Sequence, residues 1–204
     1  MIKKKVLVYV LCFTMLVPSI TLAIEDESIV HRGELATIAV DEYCALTKLI
    51  IVPPIAERPI YNDIEGATHI GKCAEAFSCK LMIGVGEQKF MPDSVATKSQ
   101  AIVVFYRLLQ RIEELSNRQH SPITHSIDFD RMEAEKKEVI ISDLEEVPEW
   151  AKEEVIYMVS RGLVSLDNGY LSPNDSVTMN EINEIITKIH SFTHKTDDGS
   201  VDTR

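Results

Sequence analysis

The chain repeats one layout at an interval of about 80 residues, and this repetition restricts its fold more than any other feature. The stretches 63–112 and 143–189 each contain an Asp, a segment with helical spacing, a turn, and a Pro. A Thr five residues after that Pro opens a second helical segment; the pairs are Pro92 with Thr97 and Pro173 with Thr178. A short unit that cannot bury its own apolar face must stack on its siblings. The repetition therefore favours a scaffold or binding module over a single-site enzyme.

A third, partial copy of this layout lies near the N-terminus. Residues 31–36 (His-Arg-Gly-Glu-Leu-Ala) stand there in place of the Thr-led boxes at 97–100 and 178–181. The apolar residues that follow have helical spacing, which predicts a helix from about Gly33 to Leu49. Together the copies predict a mainly α fold built from repeated helix–loop–helix units.

Helical periodicity also defines the other predicted helices. They cover residues 68–81, 99–115, 147–162 and 180–191, and Gly162 is expected to cap the third of them at its C-terminus. The charge run at 133–138 is interpreted as a solvated face. The buried stripes predicted for the helices at 68–81 and 147–162 are Ile70, Ala74, Phe77 and Leu81, and Trp150, Ala151, Val155, Met158 and Val159.

The first residues have the layout of a secretory signal peptide. Three lysines at 3–5 precede an uncharged apolar run at 6–17, Pro18 follows, and small residues lead to Ala23, after which we expect cleavage. The alternative is an uncleaved anchor, because the apolar stretch nearly reaches the roughly 20 residues that cross a bilayer. Either reading predicts an exported protein.

These signals divide the chain into six predicted segments. They are a signal peptide at 1–23, a partial repeat and Pro-rich connector at 24–60, repeat 2 at 61–115, a linker at 116–140, repeat 3 at 141–192, and a flexible tail at 193–204.

The charge of the chain excludes two classes of partner. The chain has 21 basic and 32 acidic residues, and removal of the three lysines at 3–5 leaves 18 against 32, a net charge of −14. Nucleic acids and anionic membrane surfaces select for basic patches. We therefore expect no nucleic-acid partner and no membrane contact beyond the signal segment.

The cysteines and histidines show no metal-ligand spacing. Cys44, Cys73 and Cys79 remain after cleavage, and an odd number leaves at least one thiol free or bridged to another chain. Cys73 and Cys79 lie too far apart on one helix to bridge. A bridge from Cys44 to either one stays open, and small buried apolar residues are the default interpretation.

No catalytic motif stands out. The sequence has no nucleophile elbow and no Gly-rich phosphate loop. We therefore predict a non-catalytic protein without a metal or cofactor. Two carboxylates about 5–9 Å apart in a deep cleft would reopen the case for a hydrolase.

The Thr-led boxes are interpreted as helix caps. In each, the Thr oxygen accepts an N–H three residues on, and the side chain there reaches back. This explains Thr97 with Gln100 and Thr178 with Glu181. The residue after the Thr has no capping duty, and a cation there opposes the helix dipole. Arg32 and Lys98 occupy that place in the first two copies, which indicates contacts to a carboxylate or phosphate ligand.

The last copy resembles the S-layer homology domain family. That family shows a Phe-x-Asp start, a Trp-Ala helix, a Lys/Arg-Gly-Ile/Leu turn and a Gly-x-Phe-x-Pro step into a Thr-Arg-Ala-Glu box. The residues that carry the resemblance are Asp143, Trp150, Ala151, Arg161, Gly162, Leu163, Gly169, Leu171, Pro173 and Thr178. Gly86 and Gly162 each match a family glycine, but Leu166 and Met82 stand at the corresponding places of the other repeat.

The resemblance implies three small α-helical repeats folded as one pseudo-threefold unit. It also implies a cell-wall or cell-surface location through non-covalent binding of wall polymer, often a pyruvylated glycan. The box cation is a key ligand contact in the family. Arg32 matches it, Lys98 matches in part because lysine lacks the bidentate fork, and Met179 does not match.

The predicted ligand-binding residues are thus Arg32, Lys98, Glu34 and Trp150, with a core position favoured over a sugar platform for Trp150. The alternative function is a repeat module that has lost glycan binding and docks on another envelope protein. Convergence of Arg32 and Lys98 in one groove would support the glycan, whereas an apolar patch with the two cations apart would support the protein partner.

Overall fold

The computed structural model describes residues 27–51, 61–64, 69–118 and 127–193. Within these ranges the protein is mainly helical, as predicted, and its β-pairing is limited to isolated bridges. The predicted signal peptide at 1–23, most of the Pro-rich connector and nearly all of the tail lie outside the described residues. The helices are α1 (Arg32–Thr47), α2 (Ile70–Ser78), α3 (Lys98–Ser116), α4 (Phe129–Ala134), α5 (Lys152–Ser160) and α6 (Met179–Ser191), with 3₁₀ segments at Leu144–Glu146 and Glu149–Ala151 before α5.

A ring of three backbone hydrogen bonds joins the three box helices α1, α3 and α6 just before they start. The Val30 N–H donates to Val177 O at 3.0 Å, the Val177 N–H to Ala96 O at 3.0 Å, and the Ala96 N–H to Val30 O at 2.9 Å. All three residues are buried. Each residue directly precedes the first residue of its box, so the ring uses the same position in every copy.

A second set of hydrogen bonds joins the same three copies, and its donors and acceptors follow one another in the opposite sense. The first helical residues Arg32, Lys98 and Met179 donate their N–H groups to Ser94 O, Asp175 O and Ser28 O at 2.9, 3.0 and 2.9 Å. The N–H groups of a first helical turn have no acceptor within their own helix. Each box helix therefore has its start satisfied by the loop of another copy.

The core fills the space between the box helices. The buried residues of α3 span Ala101 to Phe105 and continue at Leu108, Leu109 and Ile112, while α6 contributes Ile182, Ile185 and Ile189. Phe90 and Leu171, which hold the same place relative to Pro92 and Pro173, are both buried. His190 on α6 also pairs with Glu42 on α1, with 2.5 Å between Nε2 and Oε1, so the last helix is tied to the first.

Both predicted capping boxes are confirmed. The Gln100 N–H donates to Thr97 Oγ1 at 3.3 Å, and the Gln100 side chain accepts from the Thr97 N–H. Thr178 and Glu181 make the same reciprocal pair at 3.3 and 2.9 Å. In the partial copy, His31 makes no capping hydrogen bond with its side chain, so α1 depends more heavily on the bonds from the other copies.

The repeated aspartates brace the loops of their own copies. Asp63 accepts the Phe90 and Met91 N–H groups at 2.8 Å each. Asp143 accepts the Leu171 N–H at 3.0 Å and the Ser172 N–H at 2.7 Å. Partial burial alone would raise the pKa of Asp63, but the two backbone donors outweigh it and lower that pKa.

The helices α2 and α5, which are the first helices of the two full copies, end in the same way, although only α5 has a glycine there. Gly162 has φ +71° and Lys80 has φ +58°. In both, the next residue bonds five residues back: Leu163 to Met158 O and Leu81 to Ala76 O, each at 2.9 Å. The predicted cap at Gly162 is confirmed. Lys80 holds the equivalent position in the other copy. The expectation that Met82 corresponds to Gly162 is wrong, because it assumed the same spacing of 80 residues along the whole repeat.

Two predicted stripes need correction. Ile70 and Phe77 on α2 are exposed, and Cys73 and Ala76 are buried instead, because the short helix packs on α1 through a different face. Trp150 is 54% exposed, whereas Ala151, Val155, Met158 and Val159 are buried as predicted. Trp150 belongs to the 3₁₀ segment before α5, where the residue that faces the core is Ala151.

The predicted linker contains more structure than its composition indicates. Ile127 and Met132 are buried in the core, and Asp128 caps α4 by accepting the Arg131 N–H at 2.9 Å. The charge run at 133–138 is exposed, as predicted, and α4 ends within it at Ala134.

Cys44, Cys73 and Cys79, which lie in the described part of the chain, are free thiols. Cys73 is buried on α2, and burial raises its pKa to about 11. Cys44 and Cys79 are partly buried, and burial raises the pKa of Cys79 to about 11 as well. The interpretation of these residues as small apolar side chains holds for Cys73.

Thr178→Ala is expected to lower the free energy of unfolding by about 1 kcal/mol, because it removes the acceptor for the Glu181 N–H at the start of α6. Urea denaturation measures this. The matched control is Thr187→Ala on the exposed face of the same helix, where the Thr hydroxyl bonds only to Asn183 O within α6. Equal losses in the two variants would contradict a specific role for the cap.

Asp63→Asn is expected to destabilise the protein most at neutral pH. The folded-state pKa of Asp63 is lowered, so its stabilisation is present above the unfolded pKa of about 3.9 and is lost as the pH falls through the folded pKa. The difference in unfolding free energy between the wild type and the variant should therefore shrink below about pH 4. A difference that is constant from pH 7 to pH 2 would show that the charge of Asp63 contributes nothing.

Candidate ligand grooves

Two grooves are built in the same way from neighbouring copies. The Arg32 groove, about 350 Å³, combines Arg32 from the partial copy with loop 82–85 and one face of α3. The Lys98 groove, about 540 Å³, combines Lys98 from the second copy with loop 164–167 and one face of α6. In each groove the box cation of one copy therefore faces the loop and box helix of the next copy.

One face of α3 forms a wall of the Arg32 groove. Gln100, Val103, Val104 and Arg107 line it, at the spacing that places residues on one side of a helix. Trp150 reaches the same groove from the last copy. All three copies thus contribute to this groove, and it exists only when they are packed together.

Arg32 is built into the wall of its groove. Its side chain is buried, and the residue is only 5% exposed. Nε donates to Phe90 O at 2.9 Å, Nη2 to Ile83 O at 3.3 Å, and Nη1 to Gln100 Oε1 at 3.2 Å. The guanidinium also lies 5.2 Å from the centre of the Phe90 ring. Burial lowers the pKa of Arg32, but arginine stays charged at any physiological pH.

Lys98 occupies the equivalent place with a different partner. Its Nζ lies 2.7 Å from Glu181 Oε1, and about a quarter of its side chain is exposed. Glu181 is the third helical residue of the next box, as Gln100 is for Arg32. The Lys98 groove is also lined by Asp167, Asp175 and Glu184. Glu181 is paired with Lys98 and Glu184 with Lys188 at the rim, which leaves Asp167 and Asp175 as the excess negative charge, so the groove is acidic.

Between the last copy and the partial copy, Met179 stands at the place of the box cation. Met179 is partly buried against the core, and Glu34 is the residue of the partial copy that corresponds to Gln100 and Glu181. The Glu34 carboxylate lies in the first turn of α1, where an acid favours the helix dipole. Glu34 lines neither of the two grooves.

The structure brings together only two of the four predicted ligand residues. Arg32 and Trp150 line one groove, Lys98 lines the other, and Glu34 lines neither. The expectation that Trp150 is mainly a core residue is wrong, since about half of its surface is exposed. An indole with an open face is a suitable platform for a sugar ring.

Arg107 is the groove residue that sequence reasoning missed. It is partly buried, lines the Arg32 groove, and makes no hydrogen bond or ion pair with any described residue. The sequence did contain a signal for it, because Arg107 lies two helical turns after Gln100 and therefore on the same side of α3. Without the fold, however, nothing showed that this side faces a groove.

A Ser–Lys pair at the rim of the Lys98 groove has the composition of a nucleophile and its base. Lys188 Nζ lies 2.6 Å from Ser165 Oγ, and both groups contact Glu184 Oε1 at 2.7 Å. A lysine base must be neutral. The hydrogen bonds from Lys188 and Ser165 lower the pKa of Glu184, so this carboxylate is charged at neutral pH. The cluster is thus arranged as an ion pair rather than as a catalytic dyad.

The described ranges contain no group of three or more His, Cys, Asp and Glu residues placed to hold a metal ion. None of the helices there is long and apolar enough to cross a membrane.

Arg32→Ala is expected to lower the free energy of unfolding by about 2–4 kcal/mol, because it removes three hydrogen bonds from a buried charged group and leaves two carbonyls without a donor. Chemical denaturation measures this. Lys98→Ala serves as the control at the equivalent position, where a half-exposed ion pair contributes below about 1 kcal/mol. A loss for Lys98→Ala as large as that for Arg32→Ala would contradict the structural role of Arg32.

Comparison with known families gives one match. A family model for the S-layer homology domain matches residues 140–178. The matched stretch runs from just before the Asp143 brace, through α5 and the turn at Asn168 and Gly169, to the capping Thr178. None of the curated proteins compared with the chain matches it.

Proposed function

The chain contains an S-layer homology domain at residues 140–178, and on this premise we propose that it is an exported, non-catalytic cell-surface protein that binds cell-wall polymer. The domain is a binding module and indicates association with the cell surface or wall. The polymer is proposed to be a secondary cell-wall glycan, bound through repeats of this kind. Export would follow from the signal-like layout of residues 1–23.

We also propose that the three copies are related by an approximate threefold axis. The support is the ring at Val30, Ala96 and Val177, in which each copy donates one hydrogen bond to a second copy and accepts one from the third. The isolated β-bridges have the same symmetry, because each pairs the first box residue of one copy with the residue two positions before the box of another copy. These pairs are Thr178 with Ile29, His31 with Val95, and Thr97 with Ser176. The partial N-terminal copy then counts as a full member of the ring.

The observation that carries the proposed function is the composition of the Arg32 groove. Among the described residues that line it are two cations, Arg32 and Arg107, one amide, Gln100, and one exposed aromatic, Trp150, and none of them is acidic. Guanidinium groups recognise carboxylate and phosphate, while an open indole packs on the apolar face of a sugar ring. This combination suits an anionic polysaccharide.

The acidity of the whole chain does not oppose this proposal. The net charge is −11, but charges farther than about 8–10 Å from a site are largely screened by physiological salt. The acids that line the described grooves are in the Lys98 groove. The Arg32 groove therefore keeps a local positive charge on an acidic protein.

Trp150→Ala is expected to reduce binding to purified cell-wall sacculi by about tenfold or more, because it removes the open aromatic surface of the Arg32 groove. Co-sedimentation of the chain expressed from residue 24 measures the bound fraction. The matched control is Tyr170→Ala: this side chain is also 54% exposed, but it lines the Lys98 groove. Unchanged binding for Trp150→Ala would contradict the assignment of the groove.

The same assay separates the polymer from the rest of the wall. Sacculi stripped of their non-peptidoglycan polymer should no longer retain the protein. Retention after stripping would mean that the protein binds peptidoglycan or a residual protein and would overturn the polymer as ligand.

A second candidate function is docking on another envelope protein. One observation favours it: Arg32 and Lys98 line separate grooves, and Ile83 and Val85 add exposed apolar surface beside Trp150. No binding to either sacculus preparation, together with stoichiometric capture of one envelope protein, would establish this function instead.

A further inference from the structure

The two described grooves share a design but differ in the charge that they offer to a ligand. In both, the box cation of one copy contacts the third helical residue of the next box: Arg32 contacts Gln100, and Lys98 contacts Glu181. The Gln100 amide is neutral and does not neutralise Arg32. A carboxylate neutralises Lys98.

The remaining lining residues increase this difference. Arg107 adds a second positive charge to the Arg32 groove, whereas Asp167 and Asp175 add negative charge to the Lys98 groove. Glu184 in the Lys98 groove is paired with Lys188. An anionic group that enters the Lys98 groove would meet like charges directly, which is unfavourable. Size does not decide between the grooves, because the Lys98 groove is the larger one.

The two arginines of the Arg32 groove differ in how many of their N–H donors are already used. Arg32 uses three of its five N–H donors on Phe90, Ile83 and Gln100. The bonds to the Phe90 and Ile83 carbonyls hold the loop that lines the groove. Arg107 makes no hydrogen bond or ion pair among the described residues, so its whole guanidinium fork is available to a ligand.

We propose that the Arg32 groove is the one of these two that accepts an anionic group, that Arg107 is the cation that contacts it, and that Arg32 is a positioning residue. The ligand class is a sugar unit that carries a carboxylate or a phosphate. This inference rests on the proposed binding of wall polymer and adds to it the residue and the groove. It predicts one bound anionic unit across these two grooves.

The test is a calorimetric titration of the chain expressed from residue 24 with polymer released from purified sacculi. Arg107→Gln should weaken binding by about tenfold or more, since a charged hydrogen-bonded contact is lost, and should leave the melting temperature unchanged. Arg107→Lys should restore part of the affinity, because it keeps the charge but not the fork. Lys98→Gln, the control in the other groove, should bind like the wild type.

Two modified polymers distinguish the sources of the charge. Carboxyl-reduced polymer tests the carboxylate, and polymer treated to remove phosphate esters tests the phosphate. Loss of binding with one of them, and not with the other, identifies the group that Arg107 contacts. Full binding of both would overturn an anionic contact.

The outcomes also separate this inference from the function on which it rests. If the wild-type chain binds no polymer, the proposed function and the inference both fail. If the wild type binds and Arg107→Gln binds equally well, or if Lys98→Gln loses as much affinity as Arg107→Gln, the proposed function stands and only the inference is overturned.

Discussion

Three buried backbone hydrogen bonds, which close a ring through Val30, Ala96 and Val177, are the interaction on which the rest of the structure depends. A buried N–H or C=O without a partner is strongly unfavourable, and here each of these groups finds its partner in another copy. Within the ring, no copy supplies the hydrogen-bond partners of its own N–H and C=O groups. The ring therefore fixes where α1, α3 and α6 begin, and those three starting points decide which side chains meet in the grooves.

The grooves show how one scaffold position can serve two purposes. The box cation links one copy to the next in both described grooves, and its partner decides what remains for a ligand. Arg32 has a planar fork that reaches two carbonyls and an amide together. Lys98 is a point charge and makes one ion pair with Glu181. Small differences at equivalent positions thus give one cationic groove with an exposed Trp150 and one acidic groove.

Local patterns predicted the parts of the fold that local physics controls. The capping boxes at Thr97 and Thr178 and the glycine end of α5 are confirmed because each depends on a few residues at fixed spacing. The errors share another cause. The faces of α2 and the position of Trp150 depend on which element packs against them, and that element comes from another copy. The buried Ile127 and Met132 were overlooked because isolated apolar residues in a polar stretch give no periodic signal.

The sequence by itself determined that the chain is a mainly helical repeat, where its box helices start, and that Arg32 and Lys98 stand at positions where local structure requires no cation. The S-layer homology resemblance of the last copy was also readable from it and matches the family model. Only the tertiary structure decided that Arg32 is held by another copy, that Lys98 is neutralised by Glu181, and that Arg107 and Trp150 share a groove. The physical reason is that hydrogen-bond partners and groove walls come from residues about 40–120 positions apart in the chain, and only the packing of the three copies brings them together.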